Sequence, residues 1–229
     1  MPITASYPDL FGSGYAGLGY WGGRQTSKQT ESAFDPRRDM SLFLLPQGFG
    51  MLAAAVFRFY RRRLNREPKI VLFQPLPPGS LKLCVGGGLA VLFSGALQGL
   101  LLKAVFGDEL LDAAPLSDLF RTASGATLAL LGGYAALVAP VIEEILFRGA
   151  MFGRFAAAGH PKLGAVVSAA LFSVIHGYPP MALHYFLLGL MGAWLFYRTR
   201  SLWAPILAHL TLNSLAVVMV LAAKSAGQL

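Results

Sequence analysis

The chain has 229 residues, 55% of them hydrophobic and only 13% charged, against roughly 25% charged for an ordinary soluble domain. That deficit argues against a soluble globular enzyme and points to a membrane. The formal charge of +8 does not imply nucleic acid, because the basic residues fall at the ends of hydrophobic runs and not on a patch interleaved with aromatic residues.

In chain order, residues 1–39 are rich in Gly, Ser, Thr and Tyr and lack an apolar run beside the N-terminus, so they read as a flexible tail and not as a cleaved secretory signal. Residues 40–229 read as a membrane bundle. Within them the stretches 40–57, 83–102, 122–142, 163–197 and 201–223 contain no Asp, Glu, Lys or Arg, and each is about as long as the roughly 20 residues a spanning helix needs. Gly177-Tyr178-Pro179-Pro180 interrupts the fourth stretch, which splits it into two short helices joined by a turn. An all-α, polytopic bundle of about six transmembrane helices follows, since helices satisfy their own backbone groups in lipid.

The basic residues set the orientation. Arg58, Arg61, Arg62, Arg63, Arg66, Lys69 and Lys82 lie between the first two stretches, which places that loop in the cytoplasm. Alternation then puts Arg148, Arg154 and Lys162 inside, Arg198 and Arg200 inside, and the C-terminus outside, in a multi-pass protein expected in the cell membrane. The segment 40–57 fits this scheme poorly, because spanning would place Arg24, Lys28, Arg37 and Arg38 outside; Pro46 and Gln47 also suit an interfacial or re-entrant segment. Cys84 is the only cysteine, which excludes an internal disulfide and a cysteine-based zinc site.

Against this apolar background a few polar residues stand out. Glu143 and Glu144 follow Pro140, which should bend or open the helix just ahead of them. Glu144 and Arg148 are i,i+4 neighbours able to pair, whereas Glu143 points about 100° away from Glu144. Glu144 is therefore expected to position and Glu143 to act as a base; the plainer alternative is a charged helix end at the membrane interface. His176 follows Phe172 by four residues, and a lone histidine there equally suits a buried hydrogen-bonding role. His209 and Asn213 share one face of the last helix, as donors toward an oxyanion or as an interhelical hydrogen-bonding pair. His160, in a loop, and His184 read as structural. A carboxylate, two histidines and an amide at membrane depth form an inventory suited to amide hydrolysis.

The run Ala139-Pro140-Val141-Ile142-Glu143-Glu144-Ile145-Leu146-Phe147-Arg148-Gly149, with Phe172 to His176 and His209 to Asn213, resembles the CPBP family, the CAAX proteases and bacteriocin-processing enzymes also called Abi proteins. Its motifs Glu-Glu-x-x-x-Arg, Phe-x-x-x-His and His-x-x-x-Asn occur here in order. Gly189, Gly192, Tyr197, Arg198, Ser201, Leu202 and Trp203 resemble its linker between the second and third motifs. The likeness covers about 130–218, with a protease core expected at about 122–223.

The resemblance implies an intramembrane endopeptidase in which Glu143 activates water with His176, while His209 and Asn213 form the oxyanion site. Its substrate would be a membrane-associated protein or peptide. A catalytically silent scaffold or immunity protein of the same fold is the main rival, and a small transporter using the acids as a proton relay a lesser one. Glu143, His176 and His209 could supply the three ligands of a catalytic zinc. No His-Glu-x-x-His pair is present, however, and a metal-free mechanism is favoured. Counting about 1.5 Å per residue from the flanking basic residues sets His176 about 8 Å deeper than Glu143. Its helix is therefore expected to tilt strongly or to begin above the membrane surface.

Overall fold

Each uncharged stretch after residue 80 is helical, and the polar or Gly-Pro segments between them are where the helices stop. The computed structural model describes residues 72–107, 123 and 125–227, with single helical positions at Gly48, Ala55 and Arg58. The expected tail 1–39 and the segment 40–57, apart from Gly48 and Ala55, lie outside the described residues. Helix α1 (Ser80–Phe106) starts after Pro77-Pro78-Gly79 and stops at Gly107, whose φ is 82°. A long helical rod, α2 (Gly125–Ala157), carries both glutamates. Helix α3 (Pro161–Ile175) opens on a proline in its first turn, where the missing N–H costs nothing. A single 3-10 turn, Pro179–Met181, leads from α3 into α4 (Ala182–Thr199), and α5 (Trp203–Ser225) follows.

Four helical stretches, Ser80–Phe106, Gly125–Ala157, Pro179–Thr199 and Trp203–Ser225, are long and apolar enough to cross a membrane. The described residues thus form a multi-pass helical membrane bundle and include no strand. The split of the fourth uncharged stretch at Gly177–Pro180 is as expected. Its first half, α3, is too short to span. Six spanning helices were expected from the whole chain, and four are present among the described residues.

Lipid and protein faces separate clearly on α1. Phe93, Leu97, Leu100 and Val105 are all more than half exposed, whereas Cys84 and Val91 are buried. The bundle centre is a cluster of Val91, Phe147, Phe172, Leu188 and Leu212, contributed by all five helices. Helices α3 and α4 meet at backbone distance: a Cβ added to Gly189 would stand 2.6 Å from the Ala169 Cα, so only glycine permits this approach. Small residues allow such close packing in membranes, where hydrophobic transfer contributes little to helix association. The chain between α4 and α5 is pinned to the strand-like lead into α1 by Leu202 N–H to the Leu72 carbonyl at 2.8 Å and Ser201 Oγ to the Gln74 carbonyl at 2.5 Å.

Candidate active site

The rod α2 changes its winding around the acids. It runs as α-helix to Gly133, as π-helix over Tyr134–Val138, as α-helix over Ala139–Glu144, as π-helix again over Ile145–Phe152, and as α-helix to Ala157. Wide π turns inside α-helices recur at functional sites. Here one precedes Pro140 and the other follows Glu144, so the helical face carrying the carboxylates is set by both.

Glu144 is fully buried and lies between two cations or potential cations. Its Oε2 is 3.0 Å from Arg148 Nε, and its Oε1 is 2.9 Å from His209 Nδ1. The first contact is an ion pair without the alignment of a hydrogen bond; the second is a hydrogen bond donated by the ring N–H. Arg148, also fully buried, donates from Nη2 to the Leu188 carbonyl at 3.3 Å and lays its guanidinium over the Phe172 ring, 4.5 Å from the centroid. Cation–π contact of this kind partly replaces lost hydration. Gly192 makes the space: a Cβ there would stand 2.6 Å from Arg148 Nε.

Glu143 is buried with 8% of its surface exposed, and its Oε2 lies 3.8 Å from His209 Nε2. His209 therefore faces both glutamates, one through each ring nitrogen. With Nδ1–H committed to Glu144, Nε2 can donate to a third group only when the ring carries both protons. Two carboxylates, one guanidinium and one imidazolium then sum to zero charge, which suits a buried cluster.

His176 reaches the cluster through an aromatic layer. Phe172 is fully buried and touches His176, His209 and Phe147 at centroid separations of 4.5, 5.9 and 5.2 Å. The other face of His176 stacks on Tyr185 of α4 at 4.0 Å and 23°. Its Nδ1 lies 2.7 Å from the Phe172 carbonyl, which can only accept, so Nδ1 carries the proton and Nε2 presents a lone pair. On the last helix Asn213 donates from Nδ2 to the Ala135 carbonyl at 2.8 Å, one π turn ahead of Pro140.

The residues singled out in the sequence are thus gathered about one centre: Glu143, Glu144, Arg148, Phe172, His176 and His209 through direct contacts, and Asn213 one turn along α5. Sequence reasoning placed Glu144 against Arg148 but not against His209, and it did not find Tyr185. A tyrosine nine residues after His176 gives no periodic signal across the intervening turn. Among the described residues no three His, Cys, Asp or Glu side chains are grouped at metal-binding spacing. The δ nitrogens of both histidines are engaged by protein oxygens, so a zinc ion would have to be held through the two Nε2 atoms and Glu143. A cavity of about 210 Å³ lined by Phe152, Phe196, Tyr197 and Arg200 opens at the helix ends and includes none of these residues.

A helical membrane bundle with a buried glutamate pair, two histidines and an amide is the class that this fold and site define. Residues 125–215 match the family model described as type II CAAX prenyl endopeptidase Rce1-like. The chain is also similar to a Bacillus subtilis (strain 168) protein named "Putative membrane peptidase YdiL", 28% identical over 144 residues. That match covers 62% of this chain and 57% of the relative, so the chain spans little more than half the length of the protein it matches. No solved structure matches. Over residues 125–215 the chain is thus similar to the CAAX prenyl endopeptidases.

Proposed function

We propose that this protein is an intramembrane endopeptidase that hydrolyses membrane-proximal peptide bonds of a membrane-associated protein or peptide. The observation that carries the reading is His209 bridging the two glutamates, at 2.9 Å from Glu144 and 3.8 Å from Glu143. A scaffold has no use for a second buried carboxylate beside an ion pair that is already closed. The family match over 125–215 supports the same class of activity.

In this mechanism Glu143 takes a proton from a water molecule as the water oxygen attacks the scissile carbonyl carbon. The C=O electron pair moves onto oxygen. Doubly protonated His209, from Nε2, and the Asn213 amide donate hydrogen bonds to that oxyanion, as preorganised donors do in acyl transfer. Glu144 and Arg148 hold His209 in place. His176, with its lone pair on Nε2, relays the proton from Glu143 to the leaving nitrogen, and the C–N bond breaks as the carbonyl re-forms. No step passes through a metal. Support for the metal-free form comes from the lack of a His-Glu-x-x-His pair in the sequence.

The basic residues Arg154, Lys162, Arg198 and Arg200 cluster near the ends of α2, α3 and α4, which supports a cytoplasmic location for those ends and an outer C-terminus in the cell membrane. Comparison of membrane proteomes from cells expressing the native chain or Glu143→Gln tests the activity. Peptide termini present only with the native chain are expected. Identical proteomes, with both proteins folded and at equal abundance, would favour a silent scaffold.

A further inference from the structure

We infer that Pro140 is a positioning residue for Asn213: by leaving the Ala135 carbonyl without a helical donor, it creates the acceptor that orients the Asn213 amide toward the site. The register of the π turn gives the reason. Ala139 N–H donates to the Tyr134 carbonyl, five residues back. In the same register the Ala135 carbonyl would accept from residue 140, and proline has no N–H to give. In α register it would accept from Ala139, whose N–H is already bonded. A backbone carbonyl left unpaired at membrane depth is costly, and Asn213 Nδ2 answers this half-buried one at 2.8 Å from a different helix. An acceptor fixes which end of the amide faces it. The NH2 group must point at Ala135, so its second N–H is directed from a known position, and the amide is not left to choose between two flips.

This connects two motifs that appear independent in the sequence. Pro140 lies three residues ahead of Glu143, and Asn213 lies on the last helix, four residues from His209. The hydrogen bond ties the π turn of α2 to α5 one helical turn along α5 from His209. The structural half of the inference stands without any reaction. The catalytic half rests on the endopeptidase reading, in which the second Asn213 N–H serves the oxyanion.

A double-mutant cycle tests both halves on the full chain in detergent. Asn213→Ala in the native background leaves the Ala135 carbonyl unpaired and is expected to lower the unfolding temperature. In a Pro140→Ala background residue 140 has an N–H for that carbonyl, so Asn213→Ala is expected to lower it much less; Pro140→Ser supplies the same N–H should Pro140→Ala not accumulate as folded protein. Equal losses in the two backgrounds would overturn the inference.

Turnover is then measured on a peptide spanning a cleavage site located by the proteome comparison. Asn213→Ala is expected to reduce kcat by about 10²- to 10³-fold with KM little changed, as loss of one oxyanion donor does. Pro140→Ala is expected to reduce kcat in the native background and to add almost nothing to Asn213→Ala. Independent, multiplying losses in kcat would overturn the positioning role. Coupled unfolding temperatures in a protein that cuts nothing would instead leave the Pro140–Asn213 link standing and remove the endopeptidase reading.

Discussion

The site joins two regions built from different materials. On one side Glu144, Arg148 and His209 form a closed charge network in which Glu144, Arg148 and His209 are each no more than 2% exposed. On the other, His176 is held by a ring face, a backbone carbonyl and Phe172, and is only half-buried. Buried charges are expensive unless every partner is present, so the first region should fail as a unit. Ring stacking carries no such debt, and the second region should lose alignment without losing the fold. Glu143 lies between them.

The sharpest way to break this contrast is to remove one charge from the network. Arg148→Leu leaves Glu144 buried beside His209 without its guanidinium and is expected to cost about 3–5 kcal/mol. Folded protein recovered from membranes should fall steeply; full recovery with normal unfolding would show that the network is not structural. A smaller disturbance of the same region is Gly192→Ala. The new methyl group collides with Arg148 Nε, and overpacking of this kind costs about 1–3 kcal/mol. A lowered unfolding temperature is the expected reading, and unchanged unfolding would show that the Arg148 guanidinium does not depend on the space Gly192 leaves.

In the aromatic region Tyr185→Leu should leave unfolding nearly unchanged and lower kcat about 10-fold, well within the loss that a misplaced catalytic group can cause. Tyr185→Phe keeps the ring face and should stay near the native rate. Equal losses in the two variants would mean that the hydroxyl, and not the stack on His176, matters. The smallest expected effect is that of metal removal. Exhaustive chelation of purified protein should leave cleavage intact, with no stoichiometric zinc on elemental analysis. Activity lost on chelation and restored by zinc would replace the carboxylate mechanism with a metal-assisted one.

The difference between the regions also governs how much could be read from the chain alone. Charges in an apolar segment are conspicuous, so Glu143, Glu144 and Arg148 stood out, and i,i+4 spacing placed Glu144 on Arg148. The helical bundle was legible for the same reason: runs without charge mark spans. The pairing of His209 with Glu144 was not legible, because it joins residues far apart in sequence and depends on how α5 packs against α2. Tyr185 was hidden since aromatic residues are ordinary in such helices. The π turns at Tyr134–Val138 and Ile145–Phe152 leave no mark on composition; only Pro140 hinted at the first. The shortness of α3 was legible from the Gly-Tyr-Pro-Pro interruption, and the helix is indeed too short to span.

The most direct test of the central claim compares the two adjacent carboxylates in purified protein. Native chain, Glu143→Gln and Glu144→Gln are assayed on one cleaved peptide while unfolding is followed in the same preparations. The account expects Glu143→Gln to unfold as the native chain does and to cut nothing measurable, and Glu144→Gln to lose stability along with turnover. Undiminished cutting by folded Glu143→Gln would contradict the assignment of Glu143 as the base.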